Sequence, residues 1–79
     1  MRLGIVTKFN GAGIYAKTTS KEVEKRSKRE PYDYGCSSFI NHCDTAEHLA
    51  RLNGWDSDSA SSKCEFAATD TGWVFIFTD

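Results

Sequence analysis

The last stretch of the chain constrains the fold most, because five large apolar residues run together there, from Trp73 to Phe77. All five are β-branched or aromatic, which are the residue types favoured in strands. Successive side chains of a strand point to opposite faces, so the three aromatic residues share one face, and Val74 and Ile76 share the other. A strand that is apolar on both faces is typical of the interior of a sheet. We therefore expect this stretch to lie inside an antiparallel sheet, with something covering each face.

The length of the chain, 79 residues, is enough for one domain near the lower size limit of folding on a hydrophobic core alone. We expect a single small domain, residues 1–79, with a charged excursion at about residues 19–35. A domain of this size has little room for an elaborate buried active site. We therefore expect no enzyme, no catalytic residues, no cofactor and no metal.

The cysteines and the N-terminal residues bear on the compartment of the protein. Residues 1–20 contain no apolar run of the length that a signal peptide needs, and no stretch approaches the length of a membrane span. Three cysteines, Cys36, Cys43 and Cys64, make an odd number, which favours reduced thiols where no secretion signal is present. We expect a cytoplasmic protein with no membrane partner. The sequence leaves the oligomeric state open.

Two hairpins are predicted, one at each end of the chain. Residues 3–9 alternate, with Leu3, Ile5, Thr7 and Phe9 on one face, and residues 10–13 contain Asn-Gly, which accepts the positive φ angles of a tight turn. Residues 14–19 then return as the second strand. Residues 63–69 form the first strand of the other hairpin, which turns at residues 70–72 into the final strand.

One helix is predicted at about residues 44–53. Asp44 followed by Glu47 is a variant of the capping box, and Gly54 stands where a left-handed C-cap is expected. An N-cap residue is not helical, so we interpret residues 36–43 as a middle strand. The competing interpretation is a single helix over residues 37–53, because apolar residues keep helical spacing through both segments.

These elements predict an α+β fold. The sheet is antiparallel and has four to five strands, formed by the two hairpins and the middle strand. The single helix, at about residues 44–53, packs on one face of that sheet.

Charge is strongly segregated along the chain. Residues 1–29 hold eight basic and two acidic side chains, for a net charge of +6, whereas residues 30–79 hold two basic and nine acidic side chains, for a net charge of −7. Such segregation suggests a charged partner for one half or self-association between the halves.

The basic stretch Lys17–Arg29 is the strongest functional signal. In a helix, several of its basic residues form one stripe that is able to follow a phosphate backbone. Thr19 and Glu22 have capping-box spacing, yet Val23 is the only apolar residue, so the segment is either a short solvated helix or a mobile excursion. The basic residues that we predict to contact a partner are Lys17, Lys21, Lys25, Arg26, Lys28 and Arg29. A solvated surface segment is the competing interpretation.

The segment Tyr32-Asp33-Tyr34 is the second surface signal. Exposed tyrosines beside carboxylates are common at protein-recognition surfaces, because tyrosine is stiff and amphipathic. We predict that Tyr32, Asp33 and Tyr34 also contact a partner. The alternative is that the two tyrosines close off one end of the sheet.

The histidines and cysteines include metal-ligating residue types, but their spacing does not favour a metal site. The chain has no Cys-x-x-Cys pair, although the separation of His42 and His48 is close to that in zinc fingers. Cys43, beside His42 and just before the predicted helix, is the one candidate for an activated thiol. Its apolar neighbours indicate that it packs in the core.

In size, in segregated charge and in its predicted hairpins and helix, the chain resembles phage-encoded inhibitors of host systems, anti-CRISPR proteins among them. The resemblance covers architecture and not particular residues. It implies a non-catalytic binding protein that blocks a nucleic-acid-handling complex of the host by charge-complementary contact. The partner is then a host protein or ribonucleoprotein complex in the host cytoplasm. The alternative is a small nucleic-acid-binding domain that uses Lys17–Arg29.

Overall fold

The computed structural model describes residues 2–19, 26–54 and 63–78. Within these residues, the strands form one antiparallel sheet in the order β3-β2-β1-β5-β4, and a helix packs on one face of the sheet. The predicted α+β class, the antiparallel sheet and both hairpins are confirmed. No described helix is long and apolar enough to cross a membrane. The elements are β1 (Arg2–Phe9), β2 (Gly13–Thr18), β3 (Ser27–Pro31), α1 (Ser38–Leu52), β4 (Lys63–Ala68) and β5 (Gly72–Thr78).

The C-terminal strand β5 lies inside the sheet, as predicted, between β1 and β4. Phe75 and Phe77 point toward α1 and are buried in the core. Full burial of one such side chain stabilises the fold by roughly 1.5–3 kcal/mol. The core cluster consists of Leu3, Ile5, Ala16, Ala46, Leu49, Ala50, Phe75 and Phe77.

The other face of β5 differs from the expectation that both faces are covered. Ile76 on that face is 36% exposed, Val74 is half-buried, and no described element packs against them.

Helix α1 begins well before Asp44. Ser37 is its N-cap, and the Ser37 hydroxyl accepts a hydrogen bond from the backbone N–H of Ile40 at 3.2 Å. The prediction of a strand at residues 36–43 is therefore wrong, as is the predicted helix start, and the competing interpretation of one helix is correct. At the other end, Gly54 has a positive φ of 82°, as its predicted role at the C-terminus of the helix requires.

The physical reason for the early start is burial. Asn41 and His42, within the segment interpreted as a strand, lie on the sheet-facing side of α1 and are buried, whereas Asp44 is exposed. Phe39 packs against Trp73, with ring centroids 4.9 Å apart. Burial of this extra turn against the sheet outweighs the capping preference of one exposed carboxylate.

The charged excursion contains the strand β3. This strand pairs antiparallel with β2, from Gly13 opposite Pro31 to Lys17 opposite Ser27. A helix over this stretch, one of the two interpretations that the sequence leaves open, is therefore wrong at its C-terminal end, because Lys28 and Arg29 lie in β3, whereas Lys17 lies in β2, within the predicted second strand. Pairing with β2 satisfies backbone hydrogen bonds, whereas a helix with one apolar residue buries almost nothing. Residues 20–25, with Lys21 and Lys25, lie outside the described residues.

The alternation of the strands gives the sheet two faces of different character. One face carries the core and is covered by α1. We call the other face the open face, because no described element packs against it. Strand register assigns to it Val6, Lys8, Tyr15, Lys17, Arg29, Glu65, Ala67, Val74 and Ile76.

Candidate binding surfaces

The predicted segment Tyr32-Asp33-Tyr34 lies between β3 and α1, where its tyrosines form an aromatic cluster with Phe9. The ring centroids of Phe9 and Tyr32 are 5.3 Å apart, and those of Tyr32 and Tyr34 are 4.9 Å apart. Tyr34 is 83% exposed and Phe9 is 46% exposed. The structure thus brings both predicted tyrosines onto one surface. It adds Phe9, which the sequence signals do not single out as a surface residue. We refer to Phe9, Tyr32 and Tyr34 as the aromatic cluster.

The side chain of Asn41 holds the backbone that carries these rings. Its Oδ1 accepts a hydrogen bond from the Asp33 N–H at 2.7 Å, and its Nδ2 donates to the carbonyls of Asp33 and Ser37, each at 2.9 Å. Asn41 is buried in the first turns of α1. Because the turn is tied to the helix, its rings are presented on an ordered backbone, which reduces the entropy lost when a partner binds.

The carboxylate of Asp33 is engaged within the turn. Its Oδ1 accepts a hydrogen bond from the Gly35 N–H at 2.8 Å, and its Oδ2 accepts one from the Cys36 thiol at 3.4 Å. The hydrogen bond to Asp33 is the main cause that raises the pKa of the Cys36 thiol. Asp33 therefore shapes the turn and also places negative charge beside the aromatic cluster.

A shallow cavity of about 170 Å³ adjoins the turn, and three carboxylates, Glu30, Asp33 and Asp44, are among its lining residues. Glu30 Oε2 lies 2.8 Å from His48 Nδ1 and 3.9 Å from Lys28 Nζ. Asp33 and Asp44 are exposed. We refer to the aromatic cluster together with these three carboxylates as the acidic aromatic surface.

A second surface lies on the open face, where Lys8, Tyr15 and Arg29 are neighbours across β1, β2 and β3. Lys8 Nζ is 5.9 Å and Arg29 Cζ is 5.1 Å from the centroid of the Tyr15 ring, so a cation lies near the ring from each neighbouring strand. Lys17 lies two positions along β2 on the same face. Lys8, Lys17 and Arg29 are exposed and Tyr15 is half-buried. We refer to these four residues as the basic row.

The predicted basic residues do not lie on one surface. Lys17 and Arg29 belong to the basic row, whereas Lys28 points to the helix-covered face and pairs with Glu30. Arg26 is exposed just before β3. Lys21 and Lys25 lie outside the described residues.

The sequence signals do not single out Lys8 or Tyr15. The signal that identifies them is the hairpin register, because the turn closed by the hydrogen bond from the Asn10 N–H to the Gly13 carbonyl places Lys8 directly opposite Tyr15. Strand alternation then puts both residues on the face away from α1.

The candidate thiol, Cys43, is not activated. Burial is the largest cause that raises its pKa, to about 12, and the Glu47 carboxylate 3.7 Å from its Sγ adds to the effect. Burial also raises the pKa of Cys64. A thiol with such a pKa stays protonated at neutral pH and is a weak nucleophile.

The two histidines lie on different sides of α1 and contact different residues. His42 is buried, with its Nδ1 2.7 Å from the Thr7 hydroxyl oxygen, and burial lowers the pKa of its ring. His48 lies on the exposed side of α1 and contacts Glu30. Within the described ranges, no group of three or more His, Cys, Asp or Glu side chains is arranged to hold a metal ion.

Comparison of the chain with protein-family models, with curated proteins and with solved structures finds no match. The acidic aromatic surface and the basic row are therefore the features from which a function is inferred. They differ in charge and in position, because the acidic aromatic surface lies around the turn between β3 and α1, whereas the basic row lies on the open face.

Proposed function

We propose that this protein is a small non-catalytic binding protein that docks on a protein partner through the acidic aromatic surface. The observation that carries the proposal is Tyr34, which is 83% exposed although its ring packs against Tyr32 on a turn fixed by Asn41. Exposed apolar patches on small domains mark interaction sites, and tyrosine is among the residues that supply most of the binding energy at interfaces.

The carboxylates beside the rings indicate the chemistry of the partner. Glu30, Asp33 and Asp44 are among the residues that line the adjoining cavity, and Asp33 and Asp44 are exposed, so a complementary surface presents lysines or arginines around an apolar site for the tyrosine. Basic surfaces are characteristic of proteins that hold nucleic-acid phosphates. We therefore propose that the protein occupies the nucleic-acid site of a host complex and so inhibits it. This is the mode of action implied by the resemblance to anti-CRISPR proteins.

The state of the thiols supports a non-catalytic role. Cys43 was the candidate nucleophile, and its pKa of about 12 leaves it protonated at neutral pH. Cys36 donates its thiol hydrogen to Asp33, which also raises the pKa of Cys36. Neither residue has the lowered pKa that a cysteine enzyme requires.

The test is affinity capture from a bacterial lysate with wild type, Tyr34→Ser and Leu52→Ser as baits. Leu52 is 50% exposed on α1 and serves as a matched loss of an exposed apolar side chain away from the turn. We expect wild type and Leu52→Ser to retain the same partner and Tyr34→Ser to retain it roughly tenfold less, as for an interface residue of large effect. Equal retention by Tyr34→Ser contradicts the proposal.

The inhibitory part is tested with the purified partner. Adding this protein is expected to displace a labelled nucleic acid from the partner, with one copy sufficient for each site. If the partner binds this protein and the nucleic acid at the same time, this protein does not occupy the nucleic-acid site, and the inhibitory part of the proposal is wrong.

A further inference from the structure

We propose that the open face binds single-stranded nucleic acid, with the cations of the basic row contacting phosphates and the ring of Tyr15 stacking on a base. This surface lies on the face of the sheet away from α1. The inference goes beyond the proposed function because it names a second ligand at a second surface.

The charge of the basic row supports an anionic ligand. Within the described residues, the ion pairs use Lys28 and His48, whereas no carboxylate lies within ion-pair distance of Lys8, Lys17 or Arg29. Like charges on neighbouring strands repel one another. An anionic chain that crosses β1, β2 and β3 removes this repulsion and releases its own counterions, which favours binding.

The aromatic and apolar groups of the open face distinguish a single strand from other anions. Tyr15 lies between the cations. Val6, which is 40% exposed, lies on β1 opposite the half-buried Val74 on β5. Unpaired bases stack on aromatic rings and pack on apolar surface, while their phosphates bind lysine and arginine. The bases of a duplex stack on one another and are not available to stack on the Tyr15 ring. An acidic protein contacts lysine and arginine through its carboxylates and has no base to stack on that ring.

The experiment measures the anisotropy of a fluorescent oligothymidylate in a salt series starting at about 50 mM. It compares two double variants with the same change of charge, Lys8→Gln/Arg29→Gln on the open face and Lys28→Gln/Arg51→Gln, whose residues lie in β3 and α1. Circular dichroism confirms that each variant is folded. A duplex of the same length and poly-L-glutamate are the competing probes.

The open-face double variant is expected to bind the oligonucleotide roughly tenfold or more weakly, and the slope of log K against log salt is expected to fall by about 1.4, because two phosphate contacts are lost. The control double variant is expected to stay within about twofold of wild type, because Lys28 lies on the helix-covered face and Arg51 lies in α1. Tyr15→Leu is expected to bind roughly fivefold or more weakly, whereas Tyr15→Phe keeps the ring and its affinity.

Four outcomes overturn the inference. The first is that the oligonucleotide does not bind at the lowest salt, and the second is that the two double variants weaken binding equally. The third is that the duplex binds at least as tightly as the single strand, and the fourth is that poly-L-glutamate binds and the oligonucleotide does not. The last outcome reassigns the basic row to an acidic protein. Because Tyr34→Ser leaves the open face intact, it is expected to bind the oligonucleotide as wild type does, even if the proposed protein partner proves wrong.

Discussion

Asn41 illustrates at the scale of single residues how a buried polar side chain orders a surface. It lies in α1, yet its hydrogen bonds hold the backbone on both sides of the exposed turn. The exposure of Tyr34 was predictable from local sequence, because a tyrosine between Pro31 and Gly35 has no regular element to bury it, whereas Tyr32 is half-buried beside Phe9. The participation of Phe9 and Asn41 was not predictable, because it depends on which distant segments meet.

Replacing Asn41 tests this role directly. Asn41→Ala leaves the Asp33 N–H without its partner and removes one of the two hydrogen bonds that the Asp33 carbonyl accepts, the other coming from the Cys36 N–H, so we expect the free energy of unfolding to fall by about 2–3 kcal/mol. Asn10→Ala is the control, because Asn10 also bonds to backbone N–H groups but is exposed, and we expect it to cost about 1 kcal/mol or less. Urea denaturation measures both values. Equal losses in the two variants would mean that Asn41 has no special role.

The buried ring of His42 predicts a pH dependence of stability. Burial lowers its pKa below the ordinary value of about 6.5, so the unfolded chain binds the proton more readily than the folded one. The contribution of the neutral His42 ring to the free energy of unfolding is therefore fully present above about pH 6.5. It is lost as the pH falls toward the lower pKa of the folded state.

Urea denaturation of wild type, His42→Gln and His48→Gln, at a series of pH values from about 6.5 downward, checks this expectation. The fall in the free energy of unfolding is expected in wild type and in His48→Gln, and it is expected to be reduced in His42→Gln. If His42→Gln shows the same slope as wild type, the pH dependence has another source.

At the scale of elements, local turn chemistry was sufficient to predict the hairpins, whereas β3 and the start of α1 depend on distant contacts. The Asn-Gly turn and the alternation around it specify β1 and β2 without reference to the rest of the chain. Strand β3 has no apolar alternation and forms at the edge of the sheet by pairing with β2. Its charged residues and Pro31 suit an edge strand, since they discourage further pairing.

The boundary of α1 gives a test at this scale. Ser37 caps the helix through the Ile40 N–H, so Ser37→Ala is expected to lower the free energy of unfolding by about 1 kcal/mol. Asp44 is exposed within α1, so Asp44→Ala is expected to change that free energy by less than about 0.5 kcal/mol. Thermal or urea denaturation distinguishes the two variants. A larger loss in Asp44→Ala would favour the later helix start.

At the scale of the whole molecule, charge that is segregated along the chain becomes charge that is segregated in space. Lys8, Lys17 and Arg29 converge because β1, β2 and β3 are neighbours in the sheet, and the carboxylates Asp33 and Asp44 gather where α1 begins. Among the described residues, Lys28 departs from this pattern because strand alternation turns it toward Glu30, and Glu65 departs from it because it lies on the open face. The segregation was visible in the sequence, but its assignment to two faces required the register of the strands.

The central claim is that the turn at Tyr34 contacts a protein partner, and site-specific photo-crosslinking in cells tests it most directly. A photoreactive phenylalanine analogue replaces Tyr34 in one variant and the exposed Leu52 in another. We predict a covalent adduct with one host protein from position 34 and none from position 52. An adduct from position 52 alone, or from neither position, would contradict the claim.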